Sequence, residues 1–178
     1  MSDTLILAVD TSTRASIVTL GSADPLATSR RDVKHRHGSH VLEQIDEVLE
    51  QAARSLDEVE ALAVGTGPGS FTGLRVGLAT LKTIAYARQL PLVGVMSSDA
   101  LRLASGLADA VVVLPAGARD HYLARAGADP QLVAPGELAE VLDGAPVLAV
   151  DMDADALGEE ATRRGVAAVE GMPAALLA

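Results

Sequence analysis

The feature that most constrains the fold is a glycine-rich loop at residues 65–73, which reads GTGPGSFTG. An apolar run at residues 61–64 precedes this loop, and a helical pattern follows it to about residue 89. A strand, a glycine loop and a helix in this order are typical of α/β proteins, where the loop amides face an anion or a closely packed neighbour. The loop therefore predicts an α/β chain and raises two hypotheses, phosphate binding and packing.

The loop matches neither common phosphate-binding motif. A P-loop ends in Gly-Lys-Ser/Thr, but here Gly73 is followed by Leu and Arg. A dinucleotide fingerprint needs shorter glycine spacing and an acidic residue about 20 positions later, yet residues 61–98 contain no Asp or Glu. We therefore favour a structural role over direct phosphate binding, which stays the alternative. The residues of this structural glycine loop are Gly67, Pro68, Gly69, Ser70, Phe71, Thr72, Gly73 and Arg75.

Hydrophobic periodicity predicts the remaining elements. In the first half the predicted strands are 5–9, 15–20, 26–33, 61–64 and 92–95, and the predicted helices are 41–52, about 71–89 and 97–107. In the second half the predicted strands are 110–114, 122–126, 147–150 and 166–169, and the predicted helices are 136–142 and 154–164. The first two strands are expected to form a hairpin.

Charge divides the chain in two. Residues 1–98 hold 9 basic and 11 acidic side chains, whereas residues 99–178 hold 5 and 13. This shift predicts two lobes, an N-terminal lobe at 1–98 and a smaller C-terminal lobe at 99–178. The first ten residues lack the basic segment and long apolar run of a signal peptide, and no apolar run is long enough to span a membrane, so we expect a cytoplasmic protein.

Composition excludes several functional classes. The chain has no cysteine, which rules out disulfide scaffolds, thiolate zinc sites and cysteine nucleophiles. Its net charge is −10 and it has only three aromatic residues, Phe71, Tyr86 and Tyr122. Proteins that grip single-stranded nucleic acid need aromatic rings in a basic groove, so this chain is a poor candidate for binding nucleic acid alone.

Two segments carry a family resemblance: ILAVDTS at residues 6–12 and GPGSFTGLRVG at residues 67–77. They resemble the bacterial TsaB family of tRNA threonylcarbamoyladenosine biosynthesis proteins, and the similarity extends through residues 35–49 and LPLVGVMSSDAL at 90–101. It fades after the first hundred residues, where Pro115 and Gly117 stand at positions usually held by Asp and Arg. The resemblance implies an α/β, actin-like ATPase fold of two ribonuclease-H-like lobes, the C-terminal one shortened and divergent.

The resemblance also implies a function. Family members are non-catalytic paralogues of TsaD, the subunit that transfers threonylcarbamoyl to N6 of adenosine 37 in tRNAs reading ANN codons. The implied role is a scaffold that forms a heterodimer with TsaD, is joined by the ATPase TsaE, and meets tRNA only through the complex. ATP, ADP and metal are then expected on the partner subunits, with no cofactor required by this chain. Alternatives are a weak actin-like ATPase or M22-type metallohydrolase, and a stand-alone regulatory homodimer.

The resemblance points to two sites. Asp10, Thr11 and Ser12 lie where the actin-like fold places its first phosphate loop, although a side-chain cap on a hairpin turn is the favoured interpretation of Asp10. The spacing of His35, His37 and His40 lacks the H-x-x-x-H pattern by which TsaD binds metal, so we expect no metal site. A partner interface is expected at the edges of the apolar stripes of the predicted helices 41–52 and 71–89. Its candidate residues are Leu42, Ile45, Leu49, Gly77, Leu78 and Leu81.

Overall fold

The first half of the chain forms a five-stranded sheet in the order β3-β2-β1-β4-β5. It is seen in a computed structural model that describes residues 4–32, 40–142, 144–153 and 157–178. The strands are β1 Ile6–Asp10, β2 Ala15–Gly21, β3 Pro25–Asp32, β4 Ala61–Gly65 and β5 Leu92–Val95. Strands β1, β2 and β3 are antiparallel neighbours, which confirms the predicted hairpin, and β4 and β5 add in parallel.

Two helices connect the parallel strands of this sheet. Helix α1, His40–Gln51, follows β3, and helix α2, Phe71–Arg88, joins β4 to β5. Strands that run in the same direction cannot be joined by a tight turn, so each connection needs a crossover of this kind. Both helices pack on the same face of the sheet, over Leu7, Val9 and Leu62.

A second sheet repeats the arrangement of the first four strands. Its order is β8-β7-β6-β9, with β6–β7 and β7–β8 antiparallel and β6–β9 parallel. The strands are β6 Val111–Ala116, β7 Asp120–Ala124, β8 Gln131–Val133 and β9 Val147–Ala149. Helix α4, Leu138–Leu142, lies between β8 and β9, as α1 lies between β3 and β4. The described chain therefore contains one α/β unit twice, the second time with four strands.

Two further helices lie between the sheets. Helix α3, Ser97–Ser105, and helix α5, Glu159–Ala175, pack against each other and contribute to a hydrophobic core that includes side chains of both sheets. Ile17 and Leu114 are members of this core from the two halves of the chain. Because this core is continuous, the division at residues 98 and 99 stays a prediction. None of the helices in the described ranges has the length and apolar content that crossing a membrane requires.

A buried amide fixes α1 to the first sheet. Gln44 has no exposed surface, and its Oε1 accepts a hydrogen bond from Ser16 Oγ at 2.7 Å. Its Nε2 donates to the main-chain oxygens of Ser16 and Ser29, each at 3.1 Å. Burial of an amide is costly unless its hydrogen bonds are made, so this network determines how α1 lies on β2 and β3.

The second half corrects the predicted elements. Residues 166–169 are not a strand but part of α5, whose buried residues include Ala161, Gly165, Ala168, Val169 and Met172 at helical spacing. A four-residue apolar run does not distinguish the two structures by itself. The predicted helix at 154–164 begins at residue 159 where it is described. Strand β8 was not predicted, because its three residues bury only Val133 and leave no alternation to detect.

Candidate functional site

The carboxyl group of Asp10 lies at the end of β1 and is completely buried. Its Oδ1 accepts hydrogen bonds from the Ser12 amide at 2.8 Å and the Ser12 hydroxyl at 2.6 Å. Its Oδ2 accepts from the Ser97 hydroxyl at 2.6 Å. A carboxylate has about four acceptor positions. Three of those positions are thus occupied by the chain's own donors, and the Asp10 side chain caps the β1–β2 turn.

The glycine loop packs directly on this turn. The Ser70 amide donates to the Ser12 carbonyl at 2.7 Å, and the Thr11 hydroxyl donates to the Gly73 carbonyl at 2.7 Å. A Cβ added at Gly69 would lie 2.2 Å from the Ser12 oxygen, and one added at Gly73 would lie 2.0 Å from the Thr11 oxygen. Contact at these distances is possible only without a side chain. The two segments that the resemblance singled out are therefore in mutual contact.

Ser97 belongs to this cluster, although the sequence predicts only the start of a helix there. Its hydroxyl accepts from the Gly67 amide at 3.0 Å while donating to Asp10, and its amide donates to the Gly67 carbonyl at 2.8 Å. Strands β1, β4 and β5 are parallel, so their carboxyl ends meet at one edge of the sheet. This parallel topology places Ser97, which follows β5, next to Asp10 at the end of β1. We call Asp10, Ser12, Ser97 and the glycine loop the strand-end cluster.

The last residues of the glycine motif lie elsewhere. Phe71, Thr72 and Arg75 are exposed at the start of α2 and are not part of the buried contact with the turn. The Arg75 guanidinium lies over the Phe71 ring, 5.4 Å from its centroid. This separation divides the motif into a buried half that packs on the turn and an exposed half on the surface of α2.

The predicted interface residues are mostly inside the chain's own core, which corrects the sequence analysis. Ile45, Leu49 and Leu81 are buried in the core beneath α1 and α2. Gly77 is buried as well, and a Cβ added there would lie 2.5 Å from the Thr11 hydroxyl oxygen. The buried side of α2 is formed by Gly73, Gly77 and Leu81, because the two small glycines face the sheet. Leu78 is therefore turned away from the sheet. Of the six candidates, only Leu42 and Leu78 are exposed.

Two aromatic residues extend the exposed apolar surface. Phe71 is 72% exposed and Tyr86 is 83% exposed, and both lie on α2. Residues 71, 75, 78, 82 and 86 fall on one face of a helix, so this row is detectable from spacing alone. With Leu42 on α1, these residues form what we call the helical face. Its exposed members are Leu42, Phe71, Arg75, Leu78, Lys82 and Tyr86.

The two helices beneath this face differ in charge. Helix α1 exposes Glu43, Asp46 and Glu50, whereas the exposed charges of α2 are basic. A hydrogen bond from the Arg31 guanidinium lowers the pKa of Glu43, and one from the Ser29 hydroxyl lowers the pKa of Glu47. Both carboxylates form ion pairs with Arg31 on β3. The exposed charges are therefore acidic on α1 and basic on α2.

The histidines give no support for a metal centre. His35 and His37 lie outside the described residues, and His40 Nδ1 lies 3.3 Å from Glu43 Oε2 on the first turn of α1. Within the described part of the chain, no group of three or more His, Asp or Glu side chains is placed to hold a metal ion.

The repeated strand order of the two sheets defines the actin-like ATPase fold, as the resemblance implied. A Pseudomonas aeruginosa crystal structure, described as an uncharacterized protein with similarity to peptidase YeaZ, shares this fold with a TM-score of 0.67. That match is 24% identical in sequence and covers 85% of this chain and 71% of the other. The solved structure thus supports the fold assignment.

The family model "TsaD: tRNA N6-adenosine threonylcarbamoyltransferase" matches residues 30–163, more than half of the chain, so the chain belongs to this family. The tRNA threonylcarbamoyladenosine biosynthesis protein TsaB of Haemophilus influenzae is 35% identical over 105 residues, 59% of this chain and 44% of that protein. The uncharacterized protein Mb3455c of Mycobacterium bovis is 34% identical over 149 residues, 82% and 70%. The predicted TsaB resemblance is confirmed, and the match spans less than half the length of the Haemophilus protein.

Proposed function

We propose that this chain is a non-catalytic scaffold subunit in the synthesis of threonylcarbamoyladenosine at position 37 of tRNAs reading ANN codons. It would act by forming a heterodimer with the catalytic paralogue TsaD. The observation that carries the proposal is the helical face, since family membership by itself does not distinguish a catalytic subunit from its partner.

The helical face has the composition of a protein interface. Interfaces are enriched in aromatic residues and Arg at their centres, and this face brings together Phe71, Arg75 and Tyr86. Leu42 and Leu78 add exposed apolar surface at 59% and 38% exposure. Charges of opposite sign on α1 and α2 would orient a partner more than they would raise its affinity.

The strand-end cluster supports a non-catalytic role. A catalytic aspartate at this position would need free carboxylate oxygens to hold a metal–nucleotide complex. Asp10 has no exposed surface and already accepts three hydrogen bonds from Ser12 and Ser97. The glycine loop also contacts the turn that a phosphate would have to approach. Nucleotide binding at Asp10, Thr11 and Ser12 is therefore proposed to be vestigial.

The remaining parts of the proposal concern partners. ATP, ADP and metal would be bound by TsaD and by the ATPase TsaE, with no cofactor required by this chain. The net charge of −10 favours indirect contact with tRNA through the complex. Such a complex would work in the cytoplasm.

The decisive experiment is reconstitution of tRNA modification. TsaD, TsaE, the carbamoyl-adenylate synthase and tRNA are combined with and without this chain, and threonylcarbamoyladenosine is quantified after nuclease digestion. We expect modification only when the chain is present. Equal modification without the chain would overturn the scaffold role, and ATP turnover by the chain alone would favour the enzyme alternative.

The helical face is tested by a matched pair of leucine variants. Leu78→Asp places a charge on the face and is expected to weaken TsaD binding at least tenfold, because an unpaired charge would be buried in an apolar contact. Leu132→Asp places the same charge on exposed β8, outside the face, and is expected to leave binding unchanged. Equal loss in both variants, or in neither, would exclude the helical face as the TsaD surface.

A homodimer is the second candidate, favoured by the two charge signs on one face. In a twofold dimer the acidic α1 of one copy can lie against the basic α2 of the other. Sedimentation of the chain alone, then with TsaD, separates the cases. A dimer that exchanges for a heterodimer supports the scaffold role, whereas one that persists beside TsaD supports a separate regulatory function.

A further inference from the structure

A second carboxyl group, that of the partly buried Asp151, joins the two halves of the chain. Asp151 follows strand β9, and its Oδ2 accepts a hydrogen bond from the Arg14 amide at 2.6 Å. Arg14 lies in the β1–β2 turn, 137 residues away in sequence. Among the described residues, this is the one direct hydrogen bond between residues 4–92 and residues 110–178.

The backbone at Asp151 is held in an uncommon conformation. Its φ angle is 59°, in the left-handed region that residues other than glycine rarely adopt. Asp and Asn tolerate this region better than other side chains do, but the conformation still costs free energy. That cost is offset by the position it gives the carboxyl group, which faces the β1–β2 turn.

Arg14 and Asp151 both line a cleft between the two halves. A cavity of about 300 Å³ is lined by Arg14 and Asp32 from the first half and by Asp151, Thr162 and Val166 from the second. The charged groups that act on the Asp151 carboxyl are Arg14, Arg30 and Asp32. The two halves also share the continuous apolar core formed with α3 and α5.

We propose that Asp151 is an interlobe clasp. Its carboxyl group, positioned by the left-handed backbone after β9, accepts the hydrogen bond of the Arg14 amide. This bond limits how far the two sides of the cleft can separate. Loss of the acceptor would release the β1–β2 turn from the second half. The distance between the two sides of the cleft would then vary more widely, while the core stays intact. The clasp belongs to this chain alone and does not depend on the partner proposal.

Amide exchange at Arg14 tests the clasp directly. Arg14 is an exposed residue, so its amide should exchange rapidly unless Asp151 holds it. We expect NMR-detected exchange of this amide to be at least tenfold faster in Asp151→Ala than in the unmodified chain. Asp151→Asn keeps an acceptor oxygen and should retain the protection. Asp153→Ala, at an exposed neighbouring position, is the matched control and should retain it too.

A distance measurement tests the opening. The chain has no cysteine, so Glu50→Cys and Gln131→Cys place spin labels at two defined exposed positions, one in each half. Asp151→Ala should broaden the distance distribution, and Asp151→Asn should not. Asp151→Gly, which suits the φ of 59°, replaces Asp151→Ala if that variant does not fold. Unchanged Arg14 protection in the variant that lacks the acceptor, or an unprotected Arg14 amide in the unmodified chain, would overturn the clasp.

Discussion

Asp10 and Asp151 carry carboxyl groups at the ends of strands, Asp10 completely buried and Asp151 partly buried, and they differ in how many donors surround them. Asp10 accepts three hydrogen bonds, from the Ser12 amide, the Ser12 hydroxyl and the Ser97 hydroxyl. Asp151 accepts one, from the opposite half of the chain. Burial, the largest influence, raises the pKa of Asp151 above its ordinary value of 3.8, while the Arg14 amide lowers it less. A fully buried carboxyl group with three donors therefore stabilises the fold, whereas a partly buried one with a single donor links two parts of the chain at a free-energy cost.

The largest effect is expected at Asp10. Asp10→Ala leaves the Ser12 amide, the Ser12 hydroxyl and the Ser97 hydroxyl without their acceptor in a buried site. We expect the free energy of unfolding to fall by about 3 kcal/mol or more, measured by urea denaturation.

Asp10→Asn distinguishes the effect of the number of hydrogen-bond donors around Asp10 from the effect of its charge on stability. Asparagine keeps one acceptor oxygen for Ser12, and the Ser97 hydroxyl can rotate to accept from the new amide. We therefore expect a smaller loss of about 1 kcal/mol. If the Asn variant loses as much as the Ala variant, the charge of Asp10 and not its number of donors determines the stability, and the comparison with Asp151 fails.

A middle effect is expected where the glycine loop meets the β1–β2 turn. Gly73→Ala puts a methyl group where the Thr11 carbonyl lies, so the loop must move away from the turn. We expect a loss of about 2 kcal/mol, although alanine is the better helix former.

Gly136→Ala is the control for this prediction. An added Cβ there meets no atom within 4 Å, and its φ is not in the left-handed region. We expect a change within about 0.5 kcal/mol. Equal stability of the two alanine variants would mean that the glycine loop is not held by its contact with Thr11.

These sites also show what a sequence can predict. Helix α1 was predicted at 41–52 and lies at His40–Gln51, because its apolar period of 3.6 residues extends over three turns. The glycine loop and the Asp10 turn were singled out by their residues, and their contact follows from parallel strands. Ser97 and Asp151 were not placed in these sites, because their partners lie 87 and 137 residues away and no local pattern reports such pairs.

The smallest effect on the free energy of unfolding is expected for Asp151→Asn. This variant tests the difference between the Asp10 and Asp151 carboxyl groups most directly. Because the pKa of Asp151 is raised in the folded chain, its ionised form is disfavoured there. The contribution of Asp151 to the stability of the unmodified chain therefore falls as pH rises from 3.8 through the folded pKa. Asparagine does not titrate, still offers an acceptor to the Arg14 amide, and tolerates a positive φ.

We therefore expect Asp151→Asn to be slightly more stable than the unmodified chain at pH 7 and equal to it below pH 3.8. Thermal unfolding of both proteins across this range measures the difference. Glu43, Glu47 and Glu58, whose pKa values hydrogen bonds lower, titrate alike in both proteins, so their contributions cancel. A variant less stable at pH 7 would show that the charged bond to Arg14 outweighs burial. Asp151 would then stabilise the fold as Asp10 does, and the contrast between the two carboxyl groups would not hold.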